Sequence, residues 1–234
     1  MDWLLIIVML PLLAAVAVGF VPGSQRQAIR GITIGASGLS LLCALIAFLS
    51  FEIDGELKFE TKVLWVESLG LYFHLAADGI NIGIILMGAI VAFAAACCAN
   101  DITHRVKEFH ILLNVMIGGI LGAFASMDLF FFYFFHELAL VPTFIMIGVW
   151  GRGANRNYAT YKITLYLSLG ALLALIGLIG VYVQTGAESF SIPDLIDKVE
   201  KKPINEPAQQ WVFALLMFGF GILVSLWPFH TWAP

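Results

Sequence analysis

Charged residues are scarce in this chain. Lysine and arginine number 12, and aspartate and glutamate 16, among 234 residues, so only 12% of the sequence is charged. Ordinary soluble domains carry about twice that fraction. A basic surface is missing as well. The formal net charge is −4 and the cations are scattered over connecting segments, which argues against nucleic acid as a partner. Cysteine is limited to Cys43, Cys97 and Cys98, all in apolar runs, with no CxxC and no Cys/His ligand spacing. That argues against a zinc, haem or iron–sulfur site built by this chain alone, and the three read as buried small residues. No Ser-His-Asp arrangement, phosphate loop or metal motif is present. No metal, nucleotide or other cofactor is therefore expected on the chain, and no catalytic chemistry by the chain in isolation. A basic leader is also missing before the first apolar run. Asp2 stands there instead, so Trp3–Val21 reads as a first spanning helix and not as a signal peptide.

What the chain has is hydrophobic length. Apolar residues make up 61% of it. Seven runs stand out: Trp3–Val21, Gly31–Phe51, Gly79–Ala99, Phe109–Ser126, Leu129–Val149, Tyr161–Val183 and Trp211–Phe229. Each is near the roughly 20 residues that a helix needs to cross a bilayer. The pattern predicts an all-α, multi-pass membrane protein with about seven spans. The segment Glu52–Asp78 mixes β-branched and aromatic residues with charges and predicts a short hairpin at the membrane surface. Gln184–Gln210 reads as a loop holding lysines, acids and prolines. If the N-terminus lies outside, the loops with Arg26, Arg30, Arg105, Lys107, Arg152 and Arg156 are cytoplasmic. The excess of cations in short inner loops favours that orientation.

Charge by depth then singles out Glu137. It is the only acidic residue in LFFFYFFHELALVPTFIMIGV, residues 129–149, and it falls near the middle. An ionised carboxylate at that depth costs at least about 2.5 kcal/mol. Such a residue pairs with a cation, titrates, or lines a wet cavity, and the expectation is a proton or ion site. Pro142 strengthens it, because proline deprives the carbonyl of Leu138 of its usual donor. His136 adjoins Glu137, but consecutive helix positions point about 100° apart and do not face one another. It reads as a polar neighbour or relay, or as a buried histidine bonded to the backbone. Lys162, near the start of the sixth run, either snorkels to the surface or turns inward to pair with Glu137. Asp78 begins the third run, where capping is its simplest role. His230 follows Pro228 in WPFHTWAP, where the helix breaks. It is either interfacial or a second titratable group. The aromatic stretch before Glu137 reads as packing surface.

These residues resemble a known family. FFFYFFHELALVPTFIMIGVWG, residues 130–151, is similar to the fifth-helix signature of the antiporter-like subunits of respiratory complex I, NADH:quinone oxidoreductase. The likeness is to chain M, the counterpart of mitochondrial subunit 4. LYFHLAADGIN, ATYKITLYLSLG and WPFHTWAP resemble other segments of that subunit type. The resemblance implies a fourteen-helix fold with inverted repeats, proton translocation coupled to quinone reduction elsewhere, and packing against sibling antiporter-like subunits. It implies further that Glu137 is the key carboxylate, and that this chain holds the first seven helices. On that reading residues 1–108 are the N-terminal helices, and residues 109–234 begin the proton-translocating part. A bacterial inner membrane or its equivalent is the implied location. One departure stands out: where the family places a seventh-helix lysine, this chain has Leu223. The alternatives are a subunit of a multisubunit cation/proton antiporter, a subunit of a membrane-bound hydrogenase, and a non-transporting scaffold or truncated product.

Overall fold

In hydrocarbon every backbone N–H and C=O must find its partner within its own segment or a closed sheet, and long aliphatic runs meet that demand as helices. A computed structural model describes residues 2–233. It contains helices α1 (Trp3–Phe20), α2 (Arg26–Leu49), α3 (Asn81–Cys98), α4 (Val106–Ala125), α5 (Leu129–Trp150), α6 (Arg156–Thr185), α7 (Ile192–Lys201) and α8 (Glu206–Leu223), with strands β1 (Lys58–Val66) and β2 (Leu71–Ala77) between α2 and α3. Six helices, α1 to α6, are long and apolar enough to cross a membrane. The protein is thus a multi-pass, predominantly helical membrane protein, and the hairpin predicted between the second and third runs is present.

Several elements depart from the sequence reading. Helix α8 begins at Glu206, well before Trp211, because Asn205 caps it by accepting the Ala208 N–H at 2.9 Å and Pro207 suits its first turn. Its polar opening, Glu206–Gln210, explains why it falls short of the six. It also stops at Leu223 and not at Phe229. Ser225 takes a left-handed φ of 59°, and the Leu226 N–H turns back to the Gly221 carbonyl at 2.7 Å. Helix α6 begins at Arg156, before Tyr161, and runs for 30 residues. Within the segment read as a loop lies the amphipathic α7, with Ile192, Leu195, Ile196 and Val199 at helical spacing. Of the three cysteines only Cys43 is buried; Cys97 is partly covered and Cys98 exposed, and all three are free thiols.

The chain divides into two compact units. The first comprises residues up to Val63, Phe73–Met127 and Phe134–Thr143. The second comprises Leu64–Tyr72, Asp128–Tyr133 and the residues from Phe144 on. Lipid tails are as apolar as leucine, so spanning helices associate through close packing and polar contacts. In the first unit Gly118 of α4 abuts Leu12 of α1, and Ser40 of α2 donates to the Ile7 carbonyl of α1 at 3.1 Å. Val18, Ile29 and Val106 close one end as an apolar layer. In the second unit Gly219 of α8 meets the backbone of Ala174 in α6.

Candidate functional site

Helix α5 carries Glu137, and its start is fixed by Asp128. This carboxylate is fully buried. Oδ1 accepts the N–H groups of Phe130 at 2.9 Å and Phe131 at 3.2 Å, and Oδ2 accepts that of Tyr72 at 3.3 Å. The cap satisfies N–H groups that a helix start leaves without partners. The Leu129 N–H donates to the Phe190 carbonyl at 2.9 Å. From this anchored start, Glu137 lies roughly 12 Å along the axis at about 1.5 Å per residue, inside the hydrocarbon depth.

Lateral placement comes from glycine. A Cβ on Gly119 of α4 would lie 2.6 Å from the Ala139 nitrogen and 2.9 Å from the Phe135 oxygen, both backbone atoms of α5. One turn further, a Cβ on Gly122 would strike the Phe135 ring at 2.4 Å. The α5 backbone therefore rests directly on α4 across the turn that holds Glu137. Helix α5 continues through Pro142, and the Thr143 hydroxyl donates to the Ala139 carbonyl at 2.9 Å just beyond it.

The Glu137 side chain keeps 32% of its surface open and that of His136 keeps 25%. His136 Nδ1 stands 4.0 Å from Glu137 Oε1. That is closer than the expected divergence of adjacent positions suggested, yet too long for a hydrogen bond. Glu137 and His136 belong to the first unit, Lys162 and His230 to the second. Lys162 is half-buried near the start of α6. Its Nζ lies 5.7 Å from the centre of the Tyr158 ring, one turn toward the helix N-terminus, within cation–π range. His230 is exposed in a short 3-10 turn, Phe229–Trp232. Two contacts hold that turn: Thr231 with the Tyr166 hydroxyl at 3.1 Å, and Trp232 Nε1 with the Ile222 carbonyl at 2.8 Å. Asp78 caps α3 as expected, accepting the Ile80 and Asn81 N–H groups at 2.8 and 2.7 Å.

Sequence reasoning missed three features here. Asp128 was readable as an acid directly before an apolar run, the signature of a helix N-cap. Gly118, Gly119 and Gly122 were readable as small residues at helical spacing. The pair His74 Nε2–Glu60 Oε1, 2.9 Å apart in the hairpin, carried no sequence signal, because register brings it together. Further out in the same segment, the Lys58 ammonium bonds to Asp54 and lowers that carboxyl below its usual range; this pair is exposed and far from Glu137 in sequence.

The family described as "NADH:quinone oxidoreductase/Mrp antiporter, TM" matches residues 126–234, which begin just before the Asp128 cap. Chain 4 of the NAD(P)H-quinone oxidoreductase of Synechococcus sp. (strain JA-3-3Ab) is 30% identical over 233 residues, covering 100% of this chain and 43% of that protein. Subunit M of the F(420)H(2) dehydrogenase of Methanosarcina mazei is 31% identical over 237 residues, covering 98% of this chain and 47% of that one. A chain of respiratory complex I from Thermus thermophilus superposes with a TM-score of 0.83 at 28% identity, over 98% of this chain and 45% of that chain. A chain of an archaeal membrane-bound sulfane sulfur reductase shares the fold at a TM-score of 0.82 and 21% identity. The chain thus spans less than half the length of these relatives.

Proposed function

We propose that this chain is the N-terminal part of a proton-translocating membrane subunit, working in an NAD(P)H:quinone oxidoreductase-type complex. Glu137 is its proton-carrying group. The observation that carries this reading is a lone carboxylate placed inside a spanning helix by a buried cap and a glycine surface. A protein has no reason to fix an expensive group so closely unless its charge is used. The chain itself does no redox chemistry; quinone reduction occurs elsewhere in the complex. Charge changes in neighbouring antiporter-like subunits drive Glu137 between ionised and neutral forms, and water carries the proton to and from it. His136 is the polar neighbour and His230 a second titratable group. Proton uptake by sealed vesicles bearing the assembled complex tests this reading, with Glu137 as the variable residue. The family description also covers antiporters, which supports a second reading, a cation/proton antiporter subunit. Quinone-reductase inhibitors that stop proton movement in the vesicles favour the first reading; sodium-driven movement favours the second.

The finer architecture belongs to the same proposal. Helix α8 is the seventh span, the full subunit has fourteen, and residues 109–234 open the proton-translocating part. The N-terminus lies outside. In a cysteine-free background, a cysteine placed at Gln27 is expected to resist membrane-impermeant thiol reagents in intact cells and to react after permeabilisation. Reaction in intact cells reverses the orientation.

Leu223 ends α8 where the family has a lysine. Lys162 is the cation we assign to Glu137 in its place. Lys162→Met is expected to lower coupled proton transport about as much as Glu137→Gln. The double variant should be little worse than either, since groups acting as a unit are not additive. Normal pumping by Lys162→Met removes Lys162 from the pathway.

A further inference from the structure

Helix α2 turns an unusual face inward. Thr33, Ser37 and Ser40 are all buried, on one side of the helix. Their hydroxyls are occupied: Thr33 donates to the Ile29 carbonyl at 3.2 Å, Ser37 to that of Thr33 at 2.8 Å, and Ser40 to that of Ile7 at 3.1 Å. Facing them on α4 are His110 and Asn114, one turn apart and fully buried. Asn114 Nδ2 donates to Thr33 Oγ1 at 2.9 Å and to the His110 carbonyl at 2.8 Å. Both amide hydrogens are thereby used. The amide cannot be turned around, because its oxygen would then face the His110 carbonyl, and two acceptors repel.

Three buried atoms have no partner in this arrangement: His110 Nδ1, His110 Nε2 and Asn114 Oδ1. Buried polar groups almost always have one, in protein or in ordered water. A neighbouring subunit cannot supply it, since both side chains are already sealed inside this chain's own helices. Water can. A neutral imidazole offers one donor and one acceptor, and the amide oxygen is an acceptor. Only a molecule that both donates and accepts satisfies such a mixed set. A metal cation would have too few ligands. It would also sit close to Arg30, one turn before Thr33 on α2, whose guanidinium bonds to the Asn100 and Ile102 carbonyls at 2.7 and 3.0 Å. An anion would satisfy the donors and leave the amide oxygen facing a negative charge.

We propose that His110 and Asn114 hold ordered water between α2 and α4, in a hydration site inside the first unit. The apolar layer of Val18, Ile29 and Val106 lies one turn from His110 along α4 and shields the site at that end.

The test uses the full-length subunit in its membrane complex. A cryo-EM map that resolves water is expected to show peaks within hydrogen-bond reach of His110 and of Asn114 Oδ1. His110→Phe, which fills the ring space but bonds to nothing, is expected to lower the melting temperature of the complex. His110→Gln, which keeps a donor and an acceptor, should restore most of it. A dry site behaves the opposite way: removing an unsatisfied group leaves stability unchanged or raised. Empty density beside His110 overturns the proposal, whatever the melting data. Peaks with an unchanged or higher melting temperature in His110→Phe also overturn it, as does density that strengthens when bromide replaces chloride.

Discussion

Replacing Glu137 by glutamine is expected to stop this subunit's share of proton translocation while leaving the complex assembled and at least as stable. The two halves of that expectation rest on different physics. Glutamine matches the shape and keeps the hydrogen-bonding ability of the carboxyl group, but it cannot ionise. Losing a positioned proton-transfer group costs about 100-fold or more in the step it serves. Protons moved per electron should therefore drop to what the other subunits contribute, and electron transfer should slow if the two are coupled. Stability responds in the other direction. A charge inside a span costs about 3 kcal/mol on insertion scales, and glutamine removes that cost. A residue kept for structure would show the reverse pattern, with pumping per assembled complex intact and the melting temperature lowered. Glu137→Asp keeps the charge and withdraws it by one methylene, so it should retain part of the pumping. The measurements are acidification by sealed vesicles and thermal unfolding of the same preparation. Normal proton-to-electron stoichiometry in Glu137→Gln would take Glu137 out of the pathway.

The spanning helices and Glu137 were legible because hydrocarbon imposes a simple rule. A run of about 20 apolar residues must be a helix, and a lone acid within it stands out. The places where the sequence reading failed lie outside that rule. Helix α7 alternates apolar and charged residues, so it carries no spanning signal; its 3.6-residue pattern shows only when the segment is tested for amphipathicity. Helix α8 starts early because Asn205 and Pro207 are better start signals than hydropathy. It ends early through a turn at Ser225, a residue with no marked preference for φ of that sign. The direction of the Lys162 side chain was not legible: it rests over Tyr158 by a rotamer choice, and no periodicity encodes a rotamer. His110 and Asn114 lay in plain view within an apolar run, but their meaning depends on which atoms of α2 lie opposite.

Gly119 provides the second large effect, because it decides where α5 can lie. Gly119→Ala adds one methyl group to α4. In an exposed helix that change stabilises by about 1 kcal/mol, through alanine's better helix propensity. Here the new carbon would lie 2.6 Å from the Ala139 nitrogen and 2.9 Å from the Leu138 carbonyl carbon. Those are backbone atoms, and no rotamer change can move them aside. Restoring ordinary contact at about 3.5 Å requires the helices to part by roughly 1 Å. Overpacking of this kind costs about 1–3 kcal/mol, and a rigid backbone partner puts the site at the upper end. The clash therefore outweighs the propensity gain, and a net loss of stability is expected. Function should suffer more. The turn of α5 that rests on Gly119 must then move away from α4 and carry Glu137 with it. A misplacement of about 1 Å in a reacting group can cost about 100-fold in rate. Gly119→Ala is thus expected to lower pumping per assembled complex strongly, with Glu137 itself untouched, and Gly119→Val should prevent assembly. The control is Gly83→Ala on α3, where a Cβ meets nothing within 4 Å; it should pump normally. If Gly119→Ala pumps as well as that control, the close contact between α4 and α5 does not set the position of Glu137.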